Sequence, residues 1–117
     1  MEKSINKVEL VGYAGINPEV KTFQNGTKMV RLALATTENF KNREGDWVRN
    51  TTWHNVVLWD KVAEDALSKI KKGNLISISG KIVARSYVDN NGVKQHNVEI
   101  RGAGFEIKPR EEKRLAA

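Results

Sequence analysis

The sequence predicts an all-β fold, a single five-stranded Greek-key barrel with one helix between its third and fourth strands. Apolar and polar residues alternate along most of the chain, which is the period-2 pattern of half-buried strands. Turn signals rich in Asn and Gly separate these segments. The pattern changes to a helical period after Asp60. With 117 residues, the chain is long enough for one domain and too short for two ordinary ones.

The first three strands precede the helix. The first covers residues 7–11, an extended segment over 19–23 leads into the hairpin turn Asn25-Gly26, and the second strand follows over 27–36. We expect a long loop over 38–50 and the third strand over 51–59, where β-branched and aromatic residues are frequent. The residues of the first two strands that share an apolar face are Val8, Leu10, Val30, Leu32 and Leu34.

The helix begins at Asp60, which we expect to be its N-cap, and the run Lys71-Lys72-Gly73 is typical of a helix end. Its helically spaced apolar residues are Val62, Ala63, Ala66, Leu67 and Ile70. The fourth strand covers 75–87 with a bulge or sharp bend at Gly80, and the last covers 94–101, before a break at 102–104. The residues of these two strands that we expect to face inward are Ile76, Ile78, Ile82, Val98 and Ile100.

Five strands with one helix in this position are the layout of an OB-fold. We assign residues 1–107 to this domain and 108–117 to a short, basic, flexible tail.

Composition favours an anionic partner. Twenty Lys and Arg residues against fourteen Asp and Glu give a net charge of +6 and a pI near 9.7, so nucleic acid is the first candidate and a membrane surface the second. The absence of cysteine excludes disulfides, zinc thiolate sites and cysteine nucleophiles. No apolar run has the length of a signal peptide or a membrane span, which predicts a cytosolic protein without a membrane partner.

The third strand carries the main functional signal. Period 2 places Trp53, Asn55 and Trp59 on the face opposite to the apolar residues Val56 and Leu58. The two tryptophans are about 20 Å apart along a strand, a span of several nucleotides. One tryptophan on a β-strand is more often a core residue, but two tryptophans on the face opposite to the core favour a role in ligand binding.

Cations accompany these aromatic residues. Lys81, Arg85 and Tyr87 share the polar face of the fourth strand, and the segment 38–50 mixes Phe40 and Trp47 with basic residues. Rings stack on any base and cations hold phosphates, so this combination predicts sequence-neutral binding of single-stranded nucleic acid.

The sequence predicts no catalytic residue, metal site, cofactor or small-molecule substrate. His54 lies on the face of Val56 and Leu58, His96 has no companion at ligand spacing, and the carboxylates are scattered. The chain is therefore expected to be a binding protein, with a nuclease on the same fold as the minor alternative.

Six motifs resemble the bacterial single-stranded DNA-binding protein family, in order and in spacing, from about residue 5 to residue 107. They are Asn6-Lys7-Val8-Glu9-Leu10-Val11-Gly12, Asn17-Pro18-Glu19-Val20, Leu34-Ala35-Thr36, Thr52-Trp53-His54, Lys61-Val62-Ala63-Glu64 and Lys72-Gly73. The resemblance implies a homotetramer of OB-folds that is wrapped by single-stranded DNA in replication, recombination and repair, in the cytoplasm at the nucleoid. It also implies base stacking on Phe40, Trp53, Trp59 and Tyr87.

The resemblance further implies where phosphates and subunits bind. Asn55 stands where the family often has Arg, and His54 matches a position of subunit contact. We expect the other subunit contacts at Lys7, Glu9 and Val11, which face away from the core of the first strand. With Lys81 added from the alternation of the fourth strand, the expected phosphate contacts are Lys7, Lys21, Lys41, Arg43, Lys61, Lys71, Lys72, Lys81 and Arg85.

The chain end differs from the family pattern. Family members usually continue into a flexible linker and an acidic tip that recruits repair and replication enzymes, whereas this sequence stops at Arg114-Leu115-Ala116-Ala117. We therefore expect no recruitment through such a tip, and both a shortened chain and a short paralogue stay open. Two other functions also stay open: a primosome-type accessory module that bridges replication proteins, and an RNA-binding OB domain of the cold-shock kind.

Overall fold

A computed structural model describes residues 3–109, which form six strands and one helix. The predicted tail lies outside the described residues from position 110 onward. The elements in chain order are β1 (Val8–Ala14), β2 (Glu19–Thr22), β3 (Lys28–Lys41), β4 (Trp47–Trp59), α1 (Asp60–Lys69), β5 (Leu75–Val88) and β6 (Lys94–Lys108).

Five of the strands close into a barrel. They follow one another in the order β1-β5-β6-β4-β3, and β3 pairs back with β1 where Tyr13 lies opposite Ala35. The pair of β4 and β6 is parallel and the other pairs are antiparallel. The short strand β2 lies outside the barrel, on the edge of β3. The predicted five-stranded OB-fold with a helix between its third and fourth barrel strands is confirmed.

Glycine permits the close approaches that close the barrel. A Cβ at Gly12 would collide with the carbonyl oxygen of Ala35, so β1 and β3 can meet only with glycine at this position. The register between β5 and β6 shifts beside Gly80, where an irregularity was predicted, but the extra residue of this bulge is Ala103 on β6, between the partners of Ser79 and Gly80.

The core lies inside the barrel and is completed by one face of the helix. Strand residues such as Leu32, Leu58 and Ile78 are fully buried, and Ala63 and Ala66 cover them from α1. Each fully buried Leu or Ile side chain contributes roughly 1.5–3 kcal/mol to folding. The alternation that predicted the core of the strands holds in the buried set Val30, Leu32, Leu34, Val56, Leu58, Ile76, Ile78 and Ile100, and Ile70 is buried at the end of the helix.

The prediction of a loop over 38–50 was wrong. Strands β3 and β4 continue beyond the barrel as a two-stranded arm, paired from Thr36 opposite Thr52 to Lys41 opposite Trp47. The side-chain oxygen of Asn42 accepts hydrogen bonds from the backbone N–H groups of Glu44 and Asp46 and thus fixes the turn. We call this hairpin arm A, residues 36–52. Its side chains are largely polar on both faces, which is why the alternation gave no strand signal.

A second arm follows from β5 and β6, and its turn repeats that of arm A. The carboxylate of Asp89 accepts hydrogen bonds from the N–H groups of Asn91 and Val93 and from the side-chain amide of Gln95. These hydrogen bonds stabilise the ionised form of Asp89 and hold its pKa below the ordinary value of 3.8. The bond from the N–H of Val93 has the largest effect on the pKa. We call this hairpin arm B, residues 82–98.

Two residues of arm B were wrongly predicted to face the core. Ile82 is 47% exposed and Val98 is 62% exposed, because both lie beyond the end of the barrel, where the hairpin has no opposing layer. The predicted break at 102–104 was also wrong, since β6 continues to Lys108. Gly102 lies against the side chain of Leu58, so glycine here allows close packing without interrupting the strand.

The helix start differs from its prediction as well. Asp60 is the first helical residue, with a left-handed φ of 56°, and Trp59 occupies the N-cap position without a side-chain hydrogen bond. The expected cap at Asp60 was therefore wrong. The helix ends at Lys69, so Lys71 and Lys72 belong to the following turn, and Leu67 is exposed.

Candidate nucleic-acid interface

Several of the predicted aromatic and basic residues meet on one outer surface of the sheet. Because paired residues share a face, the register places Arg31 of β3 beside Val57 of β4, and Val57 beside Arg101 of β6. Arg101 in turn lies opposite Lys81 of β5. We call this surface the outer face; it is formed by the odd-numbered residues of β2, β3, β4 and β5 and by those of β6 up to Arg101. It is the side of the sheet that faces away from the barrel core.

A groove of about 440 Å³ crosses the outer face. Its basic side chains come from three strands, with Lys21 on β2, Arg31 on β3 and Arg85 on β5. Amide and aromatic groups lie between them, so the groove can offer cations to phosphates and rings to bases. The residues that line it are Lys21, Phe23, Met29, Arg31, Asn55, Val57, Trp59, Arg85, Asn97 and Glu99.

Trp59 is part of an aromatic stack rather than a free ring. Phe23 lies nearly parallel to it, with ring centroids 5.7 Å apart and an interplanar angle of 17°. The guanidinium of Arg101 lies over the Trp59 ring at 5.7 Å, and the Lys21 ammonium lies over the Phe23 ring at 5.1 Å. Trp59 is half-buried as a result. Phe23 therefore adds to the aromatic surface at a position that the sequence analysis did not select.

Trp53 is the more open platform. Its side chain is 61% exposed, on the outer face where it was predicted. Its six-membered ring lies directly on Gly15, where a Cβ would collide with the ring atoms Cζ3 and Cη2. Gly15 is fixed in turn by a 2.8 Å hydrogen bond from its N–H to the carbonyl of Ala33. The backbone of the β1–β2 connection thus supports the ring from below.

The position of Asn55 has a role that the sequence analysis did not anticipate. Its side-chain oxygen accepts a hydrogen bond of 3.2 Å from Nε of Arg31. Arg31 was not among the predicted contacts, and it now stands in the centre of the groove with its side chain fixed. A cation is therefore present close to the position where the expected one is missing.

The groove also contains a buried carboxylate. Glu99 is 9% exposed, and its Oε1 lies 3.5 Å from Nε of Arg85. Its other oxygen, Oε2, and the indole N–H of Trp59 have no hydrogen-bond partner among residues 3–109. Arg85, a predicted phosphate contact, is thus already paired with an anion in the free protein. A phosphate that approaches Arg85 also approaches the charge of Glu99.

The arms carry the remaining predicted aromatic residues. Tyr87 is exposed on arm B, on the same face as Lys81 and Arg85. Phe40 is exposed on arm A, but the alternation places it on the opposite side of the hairpin from Trp53. The structure therefore brings Tyr87, Trp53 and Trp59 onto the outer face and leaves Phe40 on the reverse side of an arm.

The predicted cations fall into separate groups. Lys21, Lys81 and Arg85 lie on the outer face, and Lys41 and Arg43 lie near the tip of arm A. Lys61 is in the first turn of α1, and Lys71 and Lys72 follow its end. The loop of Lys72 is held to the β1–β2 connection, because its N–H donates to the side-chain oxygen of Asn17.

The predicted subunit contacts lie elsewhere. Lys7 and Glu9 form an exposed ion pair of 3.3 Å, and Val11 is exposed on the outward side of β1. The ring of His54 is half-buried, and its Nε2 lies 2.8 Å from Oγ1 of Thr36.

Two findings concern residues 3–109 as a whole. They contain no group of three or more His, Asp or Glu side chains that could hold a metal ion. The helix within this range is neither long nor apolar enough to cross a membrane.

Solved structures share this fold over most of the chain. The Plasmodium falciparum SSB, solved in complex with ssDNA, is 28% identical with a TM-score of 0.82 over 93% of this chain and 99% of that chain. A deletion variant of the single-stranded DNA-binding protein from Thermus aquaticus, 24% identical, has a TM-score of 0.81 over 92% of this chain and 52% of its own. At that identity, the second likeness shows the fold alone.

Sequence comparison identifies the family. The single-stranded DNA-binding protein of Neisseria meningitidis is 37% identical over 97 residues, and single-stranded DNA-binding protein 1 of Chlorobaculum tepidum is 38% identical over 101 residues. These matches cover 83% and 86% of this chain but 56% and 62% of the relatives, so the chain spans somewhat more than half their length. The model of the single-strand binding protein family matches residues 5–107. The chain belongs to the single-strand binding protein family.

Proposed function

We propose that this protein binds single-stranded DNA without sequence preference and protects it in replication, recombination and repair, without catalysing a reaction. The observation that carries the proposal is the outer face, where the open ring of Trp53 and the Phe23–Trp59 stack lie beside Lys21 and Arg31. Base stacking contributes roughly 1–3 kcal/mol per base, and it tolerates any sequence because every base has a π-face.

Each predicted site residue has a role in this proposal. Bases stack on Phe40, Trp53, Trp59 and Tyr87, with Phe23 as an added partner of Trp59. Arg31 joins the predicted cations as a phosphate contact. The full set of predicted phosphate contacts remains Lys7, Lys21, Lys41, Arg43, Lys61, Lys71, Lys72, Lys81 and Arg85.

The proposed working form is a homotetramer in the bacterial cytoplasm at the nucleoid. One OB-fold of this size covers roughly 4–16 nucleotides, so several subunits are needed to cover a long strand. Closed symmetry is the usual form of homo-oligomers. The contacts that we propose are Lys7, Glu9, Val11 and His54, and the exposed apolar residues Ile82 and Val98 of arm B are further candidates.

Tryptophan fluorescence tests the proposal directly. Oligo(dT) is expected to quench emission strongly, whereas duplex DNA of equal length is expected to have little effect, since its bases are already stacked. Quenching by ribo-oligomers with equal or higher affinity would identify an RNA-binding protein instead. Unchanged emission at saturating oligo(dT), together with capture of a protein partner, would favour the accessory module. Light scattering measures the mass, for which four chains are expected.

A further inference from the structure

Trp47 has no packing role that explains a tryptophan at its position. It is the first residue of β4, at the tip of arm A, and it is 71% exposed, more than Trp53. A large aromatic side chain contributes to folding mainly through burial, and Trp47 buries little of its surface. Its position therefore favours a role in binding.

A cation accompanies the Trp47 ring. Lys41 is its cross-strand partner, and the Lys41 ammonium lies 5.7 Å from the ring centroid. This contact orients the ring and places a positive charge beside it. A base stacked on the indole would have its phosphate within reach of that charge, which is the same combination that the groove offers with Phe23 and Lys21.

Trp47 also lies on the same side of the hairpin as Trp53. The register of β3 and β4 is continuous from the barrel to the tip, so the alternation places Trp47, Arg49, Thr51 and Trp53 on one side. Between the rings, the hydroxyls of Thr37 and Thr51 lie 3.2 Å apart across the strands. The two tryptophans are about 20 Å apart along β4, with a cation and short polar side chains between them.

We propose that Trp47 is a further base-stacking site, and that single-stranded DNA continues from Trp53 past Arg49 to the tip of arm A. The proposal rests on the proposed function and extends the DNA path beyond the barrel. Lys41, in this arrangement, contacts the phosphate of the base on Trp47. An exposed ring at a hairpin tip can also contact a second copy of this chain. The experiments below distinguish DNA stacking on Trp47 from such a subunit contact.

Affinity for oligonucleotides of two lengths provides the first test. The short oligo(dT) spans the groove and Trp53 only, and the long one is at least twice that length. Trp47→Ala is expected to weaken binding of the long oligomer about fivefold or more, the loss of one stacked base, and to leave the short one unchanged. Trp47→Phe is expected to restore most of the affinity. Asn50→Ala, which is exposed on the opposite side of the hairpin and is paired with Glu38, is the matched control without effect.

Fluorescence provides a direct readout. The sequence has three tryptophans, so Trp53→Phe combined with Trp59→Phe leaves Trp47 as the sole reporter. Saturating long oligo(dT) is expected to quench it, and saturating short oligo(dT) is not.

The outcomes distinguish this proposal from the proposed function. If Trp47→Ala binds the long oligomer like the parent protein while Trp53→Ala does not, Trp47 is not a stacking site and the proposed function stands. If neither variant changes affinity, the proposed function fails as well. If Trp47→Ala lowers the mass measured by light scattering, the tip is a subunit contact and the proposal is overturned.

Discussion

Gly15 gives a sharp test of how the Trp53 platform works. Gly15→Ala adds one methyl group, and its Cβ would overlap the Trp53 ring that lies on the glycine backbone. The ring is 61% exposed and has room to turn outward, so the collision is expected to displace the ring and to leave the barrel intact. We therefore expect this substitution to weaken DNA binding without a large loss of stability.

The magnitude follows from the contacts. A displaced ring loses the stacking of one base, roughly 1–3 kcal/mol, which corresponds to a roughly 5- to 150-fold weaker affinity for oligo(dT). The cost to folding is small, because the colliding atoms belong to a side chain that can move, and because replacing Gly by Ala also lowers the entropy of the unfolded chain by about 0.4–1 kcal/mol.

Gly12→Ala, three residues earlier and within β1, is the matched control. Its Cβ would meet the backbone carbonyl of Ala35, which cannot move without opening the contact between β1 and β3. Overpacking at such a position costs roughly 1–3 kcal/mol. The expected result is a lower melting temperature, by about 4 °C or more per kcal/mol.

The assay is a fluorescence titration with oligo(dT) combined with thermal unfolding. Gly15→Ala is then added to Trp53→Ala in a double-mutant cycle, where it should cause no further loss of affinity, because the ring that it displaces is already absent. Parent-like binding by Gly15→Ala, or an equal effect in the presence and absence of Trp53, would refute the reasoning.

Two other substitutions test the groove, and a change of pH tests the turn of arm B. Glu99→Gln removes the anion beside Arg85, and we expect tighter binding of oligo(dT) and a salt slope that is steeper by about 0.7, the value for one more phosphate contact. Phe23→Leu removes the partner of Trp59, and we expect roughly a 1–3 kcal/mol loss of affinity by titration. The lowered pKa of Asp89 stabilises its turn above pH 3.8, and this stabilisation is lost as the pH falls through the folded pKa, which amide hydrogen exchange at the turn should detect.

Each of these predictions has a contradicting result. Weaker binding by Glu99→Gln at an unchanged melting temperature would mean that the carboxylate assists the DNA. Parent-like affinity of Phe23→Leu would leave Trp59 as an independent platform. Asp89→Asn keeps the acceptor oxygen, as Asn42 does in arm A, so its turn should be insensitive to acid; persistent acid sensitivity would assign the effect to another group.

The barrel could be predicted from the sequence because a strand that is buried on one side alternates between apolar and polar residues. Leu32 and Ile78 belong to such alternating segments, and both are fully buried. The arms could not be predicted in this way. Thr37 and Thr51 are polar residues on a hairpin with solvent on both sides, and only the pairing of the two strands makes them part of a sheet. For the same reason Ile82, which has the right alternation but lies beyond the barrel, was wrongly placed in the core.

The site was predictable to the extent that it lies on single strands. Trp53 and Trp59 follow from the alternation of β4 alone. Phe23 and Arg31 reach the groove only through pairing across strands. Met29 of β3 pairs with Lys21 of β2 on one side and with Trp59 of β4 on the other, which brings Phe23, just after β2, beside Trp59. Arg31 reaches the groove because it pairs with Val57 of β4. A register built outward from the Asn25-Gly26 turn would have placed Phe23 near Trp59, because a short hairpin fixes which residues are opposite.

The groove also indicates how tightly the cations can hold a strand. If all nine predicted cations released counterions, the salt slope for a single strand would be about −6, at roughly −0.7 for each phosphate. Lys7 and Arg85 are already paired with Glu9 and Glu99, so a phosphate must compete with a carboxylate for each of them. The slope is therefore expected to be shallower than this limit, and stacking is expected to supply a correspondingly larger share of the binding free energy. Binding by a surface of this kind is therefore expected to weaken less between low and moderate salt than binding by a groove with nine unpaired cations.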